Sequence, residues 1–384
     1  MDPFSKLPAE IIQEIVCQGA DFIGVNSLLT VSPWVNAVFR AQPQLITSHL
    51  ITFNPMTQTQ AIQDLCWKVT LIHCPIFSST SLDDYIEQTR PPQTRYTFPG
   101  YVSTDDLSRI IQITAQIQRL MCICLSTMQR SFLSALRTQP EQAQNANDSF
   151  SWIEQYRVAW ALWHLQHFSD LQTAARIRWN WSAGSLSRLD QYLVWNKIDR
   201  PLAEQIWTVA AVLADLGLHP TYQTLALNAL EIIRPHAPTG PPRVQLQDQP
   251  DQEPTRPIWH YPTEAPLPFF PSLHLPQAIE PPYTPCSCTP TPSPDIENSR
   301  VSHYWGLTLD HGAKASRQVA MFTIFGSQMS QEPDPDYTLW QMRPFRRLGV
   351  VIWDPWRLNQ SCSTRVILNE MAVRIKKDVP ITTA

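Results

Sequence analysis

The sequence predicts a mainly α-helical protein with one long proline-rich segment inserted between helical regions. Apolar residues recur at helical spacing from Ser5 to about Arg234. The chain of 384 residues holds 35 prolines and 10 glycines, whereas average usage is about 5% proline and about 7% glycine. Of these prolines, 18 lie between residues 235 and 298. The excess therefore belongs to one segment, and the rest of the chain is free to be helical.

The N-terminal region is predicted to form three short helices, over residues 7–17, 22–31 and 33–41. The first has an apolar face formed by Leu7, Ile11, Ile12, Ile15 and Val16. Pro8 suits a first helical turn, where a missing N–H costs no hydrogen bond. Pro33 ends the second helix and opens the third, because proline cannot continue a helix but fits its start.

The helical body is predicted to continue from residue 43 to about residue 233. Its longest helix begins after the capping sequence at Ser103 and ends before Pro140. Residues 78–101 are predicted to be irregular, because they contain a Pro-Pro and a Pro-Gly pair. The remaining predicted helices span 43–51, 58–72, 149–168, 169–179, 183–196, 200–217 and 221–233.

The proline-rich segment is predicted to be disordered or polyproline-like, because it buries too little apolar surface to order itself. Apolar residues return after it, and the C-terminal segment is predicted to pack back on the body, as α or possibly α+β structure. Helices are predicted there over 313–327 and 344–352, and a short helix or strand over 365–376. The expected parts are an N-terminal domain (1–50), a helical body (51–234), a linker (235–299) and a C-terminal segment (300–384).

Composition argues against several classes of function. The net charge of −4 provides no basic field for nucleic acid, and scarce glycine disfavours loops that cradle phosphate. No C-x₂-C pair indicates a zinc site. The N-terminus lacks a signal-peptide pattern, and no apolar stretch reaches the roughly 18 residues of a membrane span. We therefore expect a cytoplasmic or nuclear protein that uses no metal or cofactor and is not an enzyme.

The most informative stretch is the N-terminal one, residues 4–46, which reads FSKLPAEIIQEIVCQGADFIGVNSLLTVSPWVNAVFRAQPQLI. A Leu-Pro pair opens a helix with an Ile-Ile-x-x-Ile pattern, and a Leu-Leu-x-Val-Ser segment precedes the third helix. This pattern resembles an F-box, in particular the divergent form found in many fungal proteins that begin DPFSKLP. The resemblance implies a three-helix fold that binds a Skp-type adaptor and, through it, a cullin–RING ubiquitin ligase.

The residues that match the family's adaptor contacts come from all three helices. Leu7 and Pro8 match the leading contact, and Trp34 or Phe39 stands near the usual aromatic residue. The other matching positions are Ile11, Ile12 and Ile15 in the first helix and Leu28, Leu29, Val31 and Ser32 in the second. The resemblance therefore implies a non-catalytic substrate-recognition subunit, whose protein client the sequence does not identify.

The size of the N-terminal unit agrees with this implication. Three short helices cannot bury all their apolar residues in one small core, so the remaining apolar surface needs another protein or the rest of the chain. Two alternatives stay open. One is a helical hairpin packed on the chain's own core. The other is an F-box-derived structural or interaction protein that no longer joins a ligase.

A second phrase points to the same family. Residues 346–358 read RRLGVVIWDPWRL, and many fungal F-box-like proteins carry a similar phrase near their end. The apolar run 350–353 is expected to pack against the helical body. Asp354 is expected to cap the residues that follow it or to pair with Arg357 at i+3.

Three further patterns carry weaker predictions. Seven tryptophans are clustered, namely Trp152, Trp160, Trp163, Trp179, Trp181, Trp195 and Trp207. Most are expected in helix packing, although such residues also anchor bound peptides.

His164 and His167 lie at i, i+3, where two histidines can share a metal. Because no third ligand is evident nearby, they are expected on the helix surface. Minimal proline-directed kinase sites occur at Thr284, Thr289, Thr291 and Ser293.

Overall fold

The computed structural model describes residues 2–216, apart from 20, 91–97, 137–149, 151 and 199, together with 348–353 apart from 350. Helices make up 76% of this described part, which contains no strand, so the mainly α prediction is confirmed there. The predicted linker 235–299, the helices predicted over 221–233, 313–327 and 365–376, the four kinase sites and the Asp354–Arg357 pair lie outside the described residues.

Four helices follow one another closely at the N-terminus. After a 3-10 helix over Pro3–Lys6, they are α1 (Ala9–Cys17), α2 (Phe22–Val31), α3 (Pro33–Ala41) and α4 (Pro43–Phe53). The Asp21 carboxylate caps α2 by accepting hydrogen bonds from the N–H groups of Ile23 and Gly24. The Ser32 hydroxyl caps α3, and the chain turns by 107° between α2 and α3. The prolines therefore placed the boundary between α2 and α3 and the start of α4 correctly, whereas α1 begins at Ala9, two residues after its predicted start.

The body consists of longer helices joined by short connections. They are α5 (Gln60–His73), α6 (Leu82–Gln88), α7 (Thr104–Leu136), α8 (Trp152–Thr173), a π-helical segment (Ala174–Arg178), α9 (Ala183–Asp190), α10 (Tyr192–Trp195) and α11 (Arg200–Asp215). The two helices predicted over 149–179 form one continuous α8 that widens into the π segment. The single helix predicted over 183–196 is divided at Gln191 into α9 and α10.

Helix α6 lies in the stretch that was predicted to be irregular, so that prediction was wrong over Leu82–Gln88. The Ser81 hydroxyl accepts a hydrogen bond from the Asp84 N–H at 3.2 Å and caps the helix. Two aspartates in the first turn suit the positive end of the helix dipole. The helix ends before the Pro-Pro pair, so the breakers limit its length without preventing it.

Helix α7 is the central element of the described fold. Helices α2, α4, α5, α8 and α11 all pack against it, and its predicted apolar stripe is buried from Leu107 to Phe132. By length and composition, Thr104–Leu133 is also apolar enough to cross a membrane, but 61% of its apolar window is buried inside the protein, as in a core helix. Polar residues interrupt the apolar ones along α7, so the sequence contains no unbroken apolar stretch of this length.

Residues 348–353 form a turn that packs on α7 and α8. The part of the predicted helix 344–352 that is described here is therefore a turn, because Gly349 takes a φ of +67°. A Cβ at this position would lie 2.8 Å from Met128 Sδ, so glycine is required both by conformation and by space. Arg157 donates hydrogen bonds of 2.8 Å to the carbonyls of Ile352 and Trp353. The Trp353 ring is buried beside Phe132 and Phe150.

We predict that Trp353→Ala lowers the free energy of unfolding by about 3–5 kcal/mol, because it leaves a large cavity in a well-packed site. Trp353 is 1% exposed. The control is Phe53→Ala, which removes a ring that is 61% exposed and should cost about 0.5 kcal/mol or less. Chemical denaturation followed by circular dichroism measures both. Equal losses for the two variants would show that residues 348–353 do not contribute to the core.

Candidate functional site

The residues predicted to contact an adaptor divide into exposed and buried sets. Exposed on α1, α2 and α3 are Pro8, Ile11, Ile15, Val31 and Trp34, which we call the N-terminal apolar surface. Leu7 and Leu28 are half-buried. The buried set consists of Ile12, Leu29, Ser32 and Phe39. The exposed set is thus available to a partner, whereas the buried set holds the N-terminal helices together.

Helix α1 shows this division most clearly. Ile11 and Ile15 are 49% and 40% exposed, while Ile12 and Val16 are at most 1% exposed. Residues four apart lie on one helix face, so the two exposed isoleucines form a continuous outer stripe. The inner face packs against α3 and α4. The sequence pattern identified all of these apolar residues but did not separate the two faces.

Trp34 connects the start of α3 to the start of α1. Its indole N–H donates a hydrogen bond to the Leu7 carbonyl at 3.2 Å, which places the ring beside the Leu-Pro pair. Val31 lies at the end of α2, three residues before Trp34, and is 81% exposed. Apolar side chains from three helices therefore lie around one corner of the fold.

Asp2 stabilises this corner and was not identified by the sequence analysis. Its carboxylate accepts hydrogen bonds from the Ser32 hydroxyl at 2.6 Å, from the Trp34 N–H at 3.2 Å and from the Phe4 N–H at 2.9 Å. The Ser32 hydrogen bond, followed by the two backbone N–H groups, lowers the pKa of Asp2. An Asp-Pro pair at the start of a helical turn is a capping signal, but its long-range partner is not visible in the sequence.

A second polar cluster lies inside the body, where two tyrosines and two histidines form a hydrogen-bonded row. The Tyr85 hydroxyl lies 2.7 Å from His167 Nε2, and the Tyr192 hydroxyl lies 2.6 Å from His167 Nδ1. Tyr192 also lies 2.9 Å from His164 Nδ1. All four side chains are buried. The prediction that the histidines form a surface pair was therefore wrong, since their partners come from α6 and α10.

Burial keeps both histidines neutral. Loss of hydration, followed by the nearby charge of Lys68, lowers the pKa of His164 to about 3. The same two effects, together with His164 itself, lower the pKa of His167 well below its ordinary value. Within the described ranges, no group of three or more His, Cys, Asp or Glu side chains is placed to hold a metal ion. The row is therefore a neutral hydrogen-bond network that satisfies polar groups inside the core.

A pocket of about 260 Å³ lies between α5, α8 and α11, beside this row. Asp64 and Lys68 line it from α5, and His164 and Trp160 line it from α8. Gln205 of α11 also lines it, as do Asn196 and Lys197 after α10. None of these residues except His164 and Trp160 was singled out by the sequence, because the pocket joins three helices that are distant along the chain.

The clustered tryptophans are mostly part of the core. Trp160, Trp163, Trp181 and Trp207 are buried, and the other three are half-buried. Trp181 donates a hydrogen bond of 2.7 Å to the Ser79 carbonyl, which ties the connection after α5 to the π segment. The interpretation of this cluster as helix packing is therefore confirmed for those four residues.

Comparisons with known proteins find no relative. A scan against protein-family models matches no family, and searches of curated proteins and of solved structures give no match. The resemblance of residues 4–46 to an F-box therefore stays a prediction that rests on the sequence motif.

We predict that stability falls as the pH drops below about 6.5, the pKa of histidine in an unfolded chain. The unfolded state then binds protons that the buried histidines cannot, so unfolding becomes easier. Each of His164 and His167 should remove about 1.4 kcal/mol of unfolding free energy between pH 7.5 and 5.5. Urea denaturation at the two pH values measures this loss.

The variant His167→Gln should reduce the pH-dependent loss by about half of the two histidines' share. His49→Gln is the control, since His49 lies on α4 outside the row and is only half-buried. A loss that is the same in wild type and His167→Gln would contradict the assignment of this pH dependence to the buried row.

Proposed function

We propose that this chain is a non-catalytic substrate-recognition subunit of a cullin–RING ubiquitin ligase, which docks on a Skp-type adaptor through the N-terminal apolar surface. One observation supports this most directly. Positions that match the family's adaptor contacts are exposed at Pro8, Ile11, Ile15, Val31 and Trp34. A protein client would then be presented by the rest of the chain. Such a subunit is expected in the cytoplasm or nucleus.

The energetics of docking favour this surface. Fully burying an exposed aliphatic or aromatic side chain stabilises a complex by about 1.5–3 kcal/mol. Val31 is 81% exposed and Ile11 is 49% exposed, so a partner can still recover much of this free energy. Trp34 keeps 39% of its surface exposed, and tryptophan is a frequent anchor residue at interfaces. A partner that covered this corner would therefore gain from all three helices at once.

The alternative is an F-box-derived interaction protein that no longer joins a ligase. It is favoured by the extensive packing of α2 on α7. This contact merges the three N-terminal helices with the body, so that part of their apolar surface is already used within the chain. The two proposals differ in one measurable property, which is binding to the adaptor.

We predict that the double variant Ile11→Lys/Ile15→Lys weakens binding to a purified Skp-type adaptor by at least about tenfold, the factor that corresponds to about 1.4 kcal/mol. Both side chains are exposed, so the variant should keep its fold. A pull-down followed by titration calorimetry measures the loss. Ile12 is unsuitable for this test because it is fully buried.

The matched control is Ile76→Lys/Ile177→Lys, which introduces the same charges at isoleucines that are 72% and 68% exposed elsewhere. This control should bind the adaptor like wild type. Equal binding by both double variants would rule out the N-terminal apolar surface as the docking site. No binding by wild type would favour the alternative, a protein that has left the ligase.

A further inference from the structure

The pocket between α5, α8 and α11 combines an apolar wall with polar groups that lack partners. Leu65 and Leu202 contribute to the apolar part, together with the ring of Trp160. Its volume of about 260 Å³ lies just below the range of about 300–1,000 Å³ for drug-sized ligands. A ligand that fits it is therefore small, of the size of a single amino acid.

Gln205 is the most informative of the polar groups. The side chain is 1% exposed, and its Nε2 has no hydrogen-bond partner among the described residues. An unsatisfied buried amide destabilises a protein, and such groups are rare in folded proteins. Because Gln205 lines the pocket, a ligand is the natural partner for its amide.

Asp64 and Lys68 place opposite charges one helical turn apart on the pocket wall. The Asp64 Oδ1 is buried without a hydrogen bond, and Lys68 makes none within the described part of the chain. Burial raises the pKa of Asp64 and lowers the pKa of Lys68, while each charge partly offsets the effect on the other. The Asp64 Oδ1 has therefore lost water without gaining a direct partner, while Lys68, which is half-buried, lies beside it on the same wall.

We propose that this pocket binds a free α-amino acid with an apolar side chain. The ligand's ammonium group pairs with Asp64, and its carboxylate pairs with Lys68 and accepts a hydrogen bond from Gln205. Its side chain lies against Trp160 and Leu202. This arrangement supplies partners of the correct charge to each unsatisfied group and fills the apolar wall. The site lies in the body, and its occupation does not depend on adaptor binding.

Ligands with a single charge satisfy the site less well. A simple carboxylate leaves Asp64 without a cation, and a simple amine leaves Lys68 and Gln205 without an acceptor. Leaving one charged group unpaired in a desolvated site is costly. The proposal therefore predicts that both charges of the ligand are needed together.

The test uses the full chain and measures thermal unfolding and titration calorimetry with L-leucine and L-phenylalanine. A saturable rise in unfolding temperature is expected for at least one of them. The N-acetyl derivative, which lacks the ammonium, and the amide derivative, which lacks the carboxylate, should each bind at least about tenfold more weakly. No saturable response to either amino acid, or equal binding of one derivative, would overturn the proposal.

Two variants on α11 separate binding from folding. Gln205→Leu removes an unsatisfied amide from the core, so it should keep or raise the unfolding temperature without ligand and weaken amino-acid binding at least about tenfold. Thr208→Val is the matched control, since the Thr208 hydroxyl is also buried without a partner but lies outside the pocket wall. It should keep full binding. Equal amino-acid binding by Gln205→Leu and wild type would contradict the assigned role of Gln205.

The same variants keep this proposal independent of the proposed ligase function. Gln205→Leu should be captured by the Skp-type adaptor as wild type is, because the pocket is lined by residues of α5, α8, α11 and the segment after α10, and by none of α1, α2 or α3. Ile11→Lys/Ile15→Lys should respond to the amino acid like wild type. Loss of the amino-acid response in that double variant would contradict an independent pocket.

Discussion

Burial of the apolar face of α7 is the interaction on which the rest of the described structure depends. Helices from both the N-terminal unit and the body lie against this one surface, and the turn at Gly349 approaches it closely at Met128. The N-terminal helices therefore fold on a scaffold supplied by residues about 80 positions further along the chain. Whatever binds the N-terminal apolar surface binds a rigid corner of a larger body.

Helix α8 meets a different constraint, because nearly all of its described side chains are buried, polar ones included. The histidines and glutamines of a helix enclosed on every side need hydrogen-bond partners from the protein, because water does not reach them. Tyr85 and Tyr192 supply them for His167, and Asp170 accepts a hydrogen bond of 2.8 Å from Gln166. Two atoms left without a partner on the neighbouring helices, Asp64 Oδ1 on α5 and Gln205 Nε2 on α11, border the pocket between α5, α8 and α11.

Local sequence patterns were enough to predict most helices, but not to predict which side chains come together in the sites. Proline placed the boundary between α2 and α3 correctly, because a helix end depends mainly on neighbouring residues. Helix α6 was not predicted, because the Pro-Pro and Pro-Gly pairs after it indicated an irregular segment, although Ser81 is a capping residue. His164 and His167 were assigned to the surface because their spacing describes one helix only. Tyr85, which accounts for their burial, lies 82 residues before His167, and no local pattern connects the two.

The row of tyrosines and histidines has a directional property. Each neutral imidazole carries one N–H, and each hydroxyl carries one hydrogen. When the Tyr192 hydroxyl donates to one of its two histidines, all the hydrogen bonds from Tyr85 to His164 therefore point the same way along the row. If the bonds run from Tyr85 to His164, the nitrogen of His164 that does not contact Tyr192 is a donor. If they run from His164 to Tyr85, this nitrogen is an acceptor. A group that forms a hydrogen bond with this nitrogen therefore determines where the protons lie along the whole row, including the hydroxyl hydrogen of Tyr85 on α6.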